Sequence, residues 1–245
     1  NHYEGLGGIS LKSIINRIAV AVYLKEPRLL NTGYLTPKSK ILLHREVNDR
    51  LKQLAPFIEF KGDPYLVSIE VQSNKATENS FINGQNQFWI AEGYTKSSTY
   101  PYASTISKDN DLSYIRNSVK AIVDAYNGKV YLYLNDPKDP IILAWHKIFP
   151  GLFKQIDELP KELKEHLKVP TDLFDLQVKQ ILRYHVTDVR TFYSGDDVWQ
   201  VPKELYGRKQ IPVEPYHITA QLGPNQQSEF LLLQPLTPLA RPNLS

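Results

Sequence analysis

The residues predict an α+β protein, an antiparallel sheet built from hairpins with helices packed on one side and a helical N-terminal unit. Three observations carry this. Apolar residues recur at spacings of three and four before about residue 55, and alternating, aromatic and β-branched runs replace them after Asp63-Pro64. Asn127-Gly128 separates two such runs, the pattern of a tight hairpin. Asp139-Pro140 then joins a capping residue to the proline tolerated at a first helical position, so a helix follows the hairpin. Residues 1–62 read as a helical segment packed on the main domain and 63–245 as the α+β domain, with one continuous domain as the alternative.

In SLKSIINRIAVAVYL, residues 10–24, Leu11, Ile14, Ile15, Ile18 and Val22 share one helical face, with Ser10 as N-cap. The face is expected to point into the core rather than onto a membrane surface, because the polar face carries few cations. Thr36-Pro37 opens a second predicted helix through Ile41, Leu42, Val47, Leu51 and Leu54, stopped by Pro56. YLVSIEV and QFWIAEGYTKS read as strands, joined by a polar insertion over 72–86. In the hairpin Val119, Ala121, Val123 and Ala125 alternate with Lys120, Ile122, Asp124 and Tyr126, and Asn127-Gly128 is expected to form a type I′ turn before KVYLYL. A helix presenting Ile141, Leu143, Ala144, Trp145, Ile148 and Phe149 ends at Pro150-Gly151. A short helix follows Pro160, a longer one is capped by Thr171, and YHITAQL and EFLLLQPL return to strand.

Composition excludes several classes. Twenty-nine basic against 26 acidic residues leave a charge of +3, scattered along the chain, so no nucleic-acid partner is expected. Without cysteine there is no disulfide, thiolate zinc site or cysteine nucleophile. No apolar run approaches the roughly 20 residues of a membrane span, so this piece is expected to be soluble. With no methionine and Asn1 first, it is expected to be a processed protein or an excised fragment.

No nucleotide loop, metal-ligand spacing or nucleophile elbow is present, and no cofactor is expected. The six histidines include no i, i+4 pair. His185 with Asp188 and the Ser194 hydroxyl supplies the raw material of a hydrolytic site, but Ser194-Gly195 reads as a turn and no G-x-S-x-G accompanies it. Asp109, Asp111, Asp196 and Asp197 carry oxygens suited to a hard cation, yet no calcium loop surrounds them, and a solvated turn is the simpler reading. Fifteen tyrosines make aromatic surface the distinctive feature. Trp89, Tyr94, Tyr100, Tyr102 and Trp199 are the binding candidates, since such rings line grooves for sugar or peptide, but they serve equally as half-buried sheet residues.

The words HYEGLGGISL, FWIAEGYTKSSTYPYAS, YIRNSVKAIVDAYNGKV, DPIILAWHKIFPGLF, LPKELKEHLKVPTDLFDLQ and YHVTDVRTFYSGDDVWQVP, in this order, resemble the large soluble region of Uncharacterised Protein Family 0182, bacterial integral membrane proteins. The resemblance implies that the complete protein carries several membrane helices before residue 1 and that this region is extracytoplasmic. It transfers no catalytic or binding residue. Two departures are visible: a longer polar insertion after Val71, and Val169-Pro170-Thr171 where acidic residues are expected. The expected function is a non-catalytic structural or binding module, its partners the rest of its own chain, membrane helices included, and envelope components. The alternatives are an envelope hydrolase or transferase using His185 with nearby carboxylates, and a ligand-sensing accessory domain of a membrane transport protein.

Overall fold

In the computed structural model of the chain, residues 3–69, 87–103, 105, 112–221, 223 and 228–239 are described. The polar insertion at 72–86, together with Asp109 and Asp111, lies outside the described residues. The chain forms two compact units, Asn1–Leu167 and Lys168–Ser245. Glu59 and Phe60, within the 1–62 segment, already pair with the sheet.

The first unit runs β1 Ile9–Ser10, α1 Ile14–Leu24, β2 Lys40–Ile41, α2 Val47–Leu54, β3 Glu59–Phe60, β4 Tyr65–Ser68, β5 Gln87–Ser97, β6 Tyr114–Asp124, β7 Val130–Leu134, α3 Pro140–Ile148, β8 Phe153–Gln155 and α4 Lys161–Lys164. Its six-stranded sheet has the order β3-β5-β6-β7-β8, with β4 also on β5; every pair is antiparallel except β7 with β8. The predicted α+β class and hairpin-built sheet are observed. The central strands bury both faces, since Asn117 through Asp124 are all buried. Ala91, Val119, Ala121, Val123, Leu132 and Leu134 meet Leu51 of α2 and Ile142 of α3 on one face. On the other, Phe88, Ile90, Ile122 and Tyr133 meet Leu159 and Leu163 of the α4 region. The two longer helices of this sheet thus share one face, as expected, and a short helical segment closes the second. Strict alternation puts consecutive residues on opposite faces, and each buried side chain of this size contributes about 1.5–3 kcal/mol.

Local chemistry moves several predicted boundaries. The second helix does not begin at Thr36: Thr36 N–H donates to Ser39 Oγ (2.9 Å) in a turn, and Lys40–Ile41 pairs with Ile9–Ser10. The helix starts at Val47 instead, where Glu46 accepts from the N–H groups of Asn48 and Asp49. The hairpin loop is not a two-residue type I′ turn. It runs from Asp124 to Lys129, with Gly128 in the left-handed region (φ 69°) and Asn127 outside it. Asp124 Oδ1 accepts from the Tyr126 and Asn127 N–H groups at 2.8 and 3.0 Å, an Asx turn that outcompetes the tighter geometry.

The first helix forms, capped by Ser13 in place of Ser10, but with the opposite orientation to the expected one. Ile14, Ile15, Ile18 and Val22 are 60, 72, 47 and 72 % exposed, while Val20 and Ala21 are buried. Arg17 Nε donates to the Leu11 carbonyl (2.7 Å) and Asn16 Nδ2 to the Ser10 carbonyl (2.9 Å), so the polar side of α1 faces its own chain.

The second unit comprises α5 Thr171–Tyr184, α6 Val189–Ser194, β9 Trp199–Gln200, β10 Lys203–Tyr206, β11 Lys209–Pro212, β12 Tyr216–Ala220, β13 Glu229–Leu233 and β14 Thr237–Pro238. Its strands form three antiparallel ladders, β9·β14, β10·β11 and β12·β13. Pro170, not Thr171, occupies the N-cap of α5. Among the described residues of this unit only Val178 and Thr237 are buried.

Candidate functional site

Among the described residues no hydrogen bond joins any two of His185, Asp188 and Ser194. His185 ends α5, and its Nδ1 sits 2.7 Å from the Ile181 carbonyl, so Nδ1–H is the donor and Nε2 is left as an acceptor in the neutral ring. The ring stacks on Trp199 at 3.8 Å between centroids, and Nε2 lies 3.9 Å from Asp197 Oδ2, beyond hydrogen-bond reach. Asp188 is engaged elsewhere, because its Oδ1 caps α6 by accepting from Thr191 N–H and Oγ1–H, both at 2.9 Å. Those bonds, the backbone one first, hold the Asp188 carboxyl below its ordinary pKa. Ser194 Oγ donates to Asp196 Oδ2 (2.6 Å), with the Thr191 carbonyl 3.2 Å away. Each member of the proposed triad thus satisfies a local backbone or turn demand, and Trp199 acts as the platform for His185. Among the described residues no three His, Asp or Glu side chains are grouped to hold a metal ion. Asp196 and Asp197 are exposed.

The aromatic candidates separate into different places. Tyr94 is buried. Tyr100 stacks on Tyr114 at 4.3 Å, and Tyr102, fully exposed with φ 57°, stands beside it. With Ile141, Ala144, Trp145 and Ile148 of α3 these two tyrosines border a shallow apolar groove of about 780 Å³.

Trp89 lies in a different cavity, of about 670 Å³, at the hairpin end of the sheet. Here the loop is held by Arg50 of α2, whose guanidinium donates to the carbonyls of Gly128 (2.8 Å), His44 (2.9 Å) and Leu43 (3.1 Å). An N-terminal strap closes one side: Leu6 N–H donates to Asn127 Oδ1 (2.9 Å), Glu4 N–H to Tyr126 OH (3.2 Å), and the Tyr3 and Tyr126 rings lie 5.1 Å apart. Tyr3, Trp89 and Tyr126 therefore share the cavity wall with Arg45, which is exposed and makes no ion pair among the described residues. Trp89 alone of these was a sequence candidate. Tyr3, Arg45 and Tyr126 come from three separate elements, and no spacing along the chain announces their meeting.

A third polar centre is internal. Asp139, fully buried at the N-cap of α3, accepts from Thr95 Oγ1, Ser118 Oγ and Tyr114 OH, each at 2.5 Å, and from Ile141 N–H at 3.0 Å. Burial opposes its ionisation, but the bonds from Ser118, Thr95, Tyr114 and the backbone prevail and lower its pKa. The same arrangement raises the Tyr114 phenol, through burial first and the Asp139 bond second. Sequence reasoning identified the cap but not the three hydroxyls. A second internal pair, Lys120 Nζ with Glu92 Oε2 at 2.6 Å, occupies positions directly opposite in register. Both centres are closed to reactants and tie strands to each other or to α3.

The whole chain, residues 1–245, matches the profile of a family described as Uncharacterised protein family (UPF0182). A UPF0182 protein of Prochlorococcus marinus (strain MIT 9313) is 63 % identical over 245 residues, covering 100 % of this chain and 25 % of that protein. One from Synechococcus sp. (strain CC9311) is 60 % identical over the full chain and 26 % of its own length, and one from Synechococcus elongatus is 42 % identical over 244 residues, again a quarter of its length. No solved structure matches. The chain spans about a quarter of the length of these relatives, and so corresponds to one part of a larger protein. With the family profile matched from the first residue to the last, this chain belongs to the uncharacterised protein family UPF0182.

Proposed function

We propose that this chain is a non-catalytic, extracytoplasmic binding module of a larger bacterial membrane protein, and that the Trp89 cavity is its ligand site. Its partners are the rest of its own polypeptide, membrane helices included, and envelope components. The observation that carries the reading is that three aromatic rings, Tyr3, Trp89 and Tyr126, line one open cavity with the exposed guanidinium of Arg45, which makes no ion pair among the described residues. Flat apolar faces beside the Arg45 guanidinium suit an acidic saccharide, whose rings stack while its carboxylate pairs with Arg45; the other charged groups on the wall, Glu46, Arg50 and Asp124, are engaged in local hydrogen bonds. The engagement of His185, Asp188 and Ser194 in separate local bonds supports binding over hydrolysis.

Thermal unfolding of the 245-residue chain with anionic and neutral glycan fragments tests this. A ligand of the folded state raises the unfolding temperature by mass action. Stabilisation by acidic fragments, lost in Arg45→Ala and Trp89→Phe, is the expected result. An unchanged midpoint, or a shift that survives Arg45→Ala, removes the proposal. A phosphatase reporter fused within this region of the intact protein tests the compartment: activity is expected, and a silent fusion with an active cytoplasmic reporter at the same point overturns it.

A further inference from the structure

Helix α1 is turned inside out relative to a soluble amphipathic helix. Around its axis Ile14, Ile18, Val22, Ile15 and Ala19 form one continuous exposed apolar face. Arg17 and Asn16, the polar residues that would ordinarily face water, bond to the carbonyls of Leu11 and Ser10. Exposed Leu6 (93 %) and Ile9 (40 %) precede the helix. A continuous exposed apolar face of this kind marks an interaction surface, since soluble monomers rarely expose contiguous apolar patches beyond about a few hundred Å².

We infer that α1 lies flat on an anionic lipid surface, with this face at the boundary between headgroups and acyl chains. Charge is the argument for lipid. From Gly5 to Lys25 the only charged residues are Lys12, Arg17 and Lys25; Glu4 and Glu26 flank this stretch, and Glu26 lies 3.8 Å from Arg28 Nε. With Arg17 committed to a backbone carbonyl, exposed Lys12 and Lys25 bracket the apolar face at its two ends, where lipid phosphates would meet them. A sparse set of cations on the polar face argues against an interfacial helix only if that face points to water, and here it is turned toward the protein. Eleven residues extend about 16 Å, so the helix lies on a bilayer and does not cross it. The side chains of this face are aliphatic and mostly β-branched, without Trp, Arg or Met anchors typical of a protein interface; Tyr23, 61 % exposed at its edge, holds its hydroxyl 3.3 Å from His44 Nε2. Apart from Leu6, whose N–H holds the N-terminal strap at Asn127, this surface shares no residue with the Trp89 cavity, so the two proposals fail separately.

Vesicle co-sedimentation of the 245-residue chain, using phosphatidylglycerol–phosphatidylcholine mixtures against pure phosphatidylcholine, provides the test. The chain has no cysteine, so Ile18→Cys takes a single polarity-sensitive fluorophore. Binding to the anionic vesicles, at least tenfold weaker on neutral ones and weakened by salt, is expected, with a blue shift of the label. Ile15→Asp combined with Val22→Asp should abolish binding at an unchanged unfolding temperature. Lys12→Glu with Lys25→Glu leaves the apolar face intact and should lose only the preference for anionic lipid. The inference is overturned if anionic vesicles neither pellet the chain nor shift the label. It is equally overturned if the label is already shielded without lipid in a dimer that Ile15→Asp dissociates, since the face would then belong to a second copy.

Discussion

Asp139 shows how one side chain serves several demands. As an N-cap it satisfies the first turn of α3, and as a buried carboxylate it gathers hydroxyls from Thr95, Tyr114 and Ser118. Asp139→Ala leaves those hydroxyls without their acceptor and is expected to cost about 3 kcal/mol or more, measured by denaturant unfolding. Because its pKa is lower folded than unfolded, the stabilisation is complete above the unfolded value, about 3.9, and is lost as pH falls through the folded value. The stability of Asp139→Asn should accordingly decline less than that of the wild type below pH 4; parallel acid profiles would discard this assignment. Lys120→Met provides a second test, since it removes the cation from the Glu92 carboxylate and leaves it the Asn117 Nδ2 donor (2.8 Å), and a loss of about 3 kcal/mol is expected. Glu92→Gln combined with Lys120→Met should recover part of it. Trp89 and Asp139 were visible as residue types suited to binding and capping, whereas Asp188, a candidate for hydrolytic chemistry in the sequence, caps α6 in the structure. Arg45 was not, because its use depends on Tyr3 and Trp89 arriving from elsewhere.

Elements follow from local chemistry where that chemistry is strong. Asp139-Pro140 started α3 as its sequence predicts, and the run from Ser118 to Leu134 made a hairpin. Its loop departed from expectation because the Asp124 carboxylate captures two N–H groups within reach, an option that a search for Asn-Gly overlooks. Gly128 still needs its positive φ, and a Cβ there would sit 2.8 Å from Arg50 Nη1. Gly128→Ala is expected to destabilise the hairpin by about 1–2 kcal/mol through strain and the loosened Arg50 clamp, whereas Gly151→Ala, with open space around it, carries the strain alone. Comparing the two unfolding midpoints separates these contributions. For α1 the helical period was legible but its orientation was not. Periodicity identifies an apolar stripe without saying what covers it.

Over the molecule, stability should concentrate where both sheet faces are sealed. Amide exchange is expected to be slowest in β5, β6 and β7, and orders of magnitude faster in β10 and β11, whose residues are almost all exposed. Equal protection in the two regions would contradict that distribution. The two-unit division was hidden in the sequence because strands β3 and β4, which flank Asp63-Pro64, pair side by side along the same β5. A composition break there marks a change of period, not the end of a core.

What the sequence determined by itself was the α+β class, the central hairpin and its following helix, and family membership, all properties written in residues close along the chain. Tertiary structure decided the rest: that α1 turns its apolar side outward, that His185, Asp188 and Ser194 each bond to a local partner, and that Tyr3, Arg45, Trp89 and Tyr126 share a cavity. The reason is physical. Helix period, capping and turn chemistry act over a few residues, while burial and the meeting of side chains depend on pairings across more than 100 residues, such as Leu6 with Asn127, that no local spacing records.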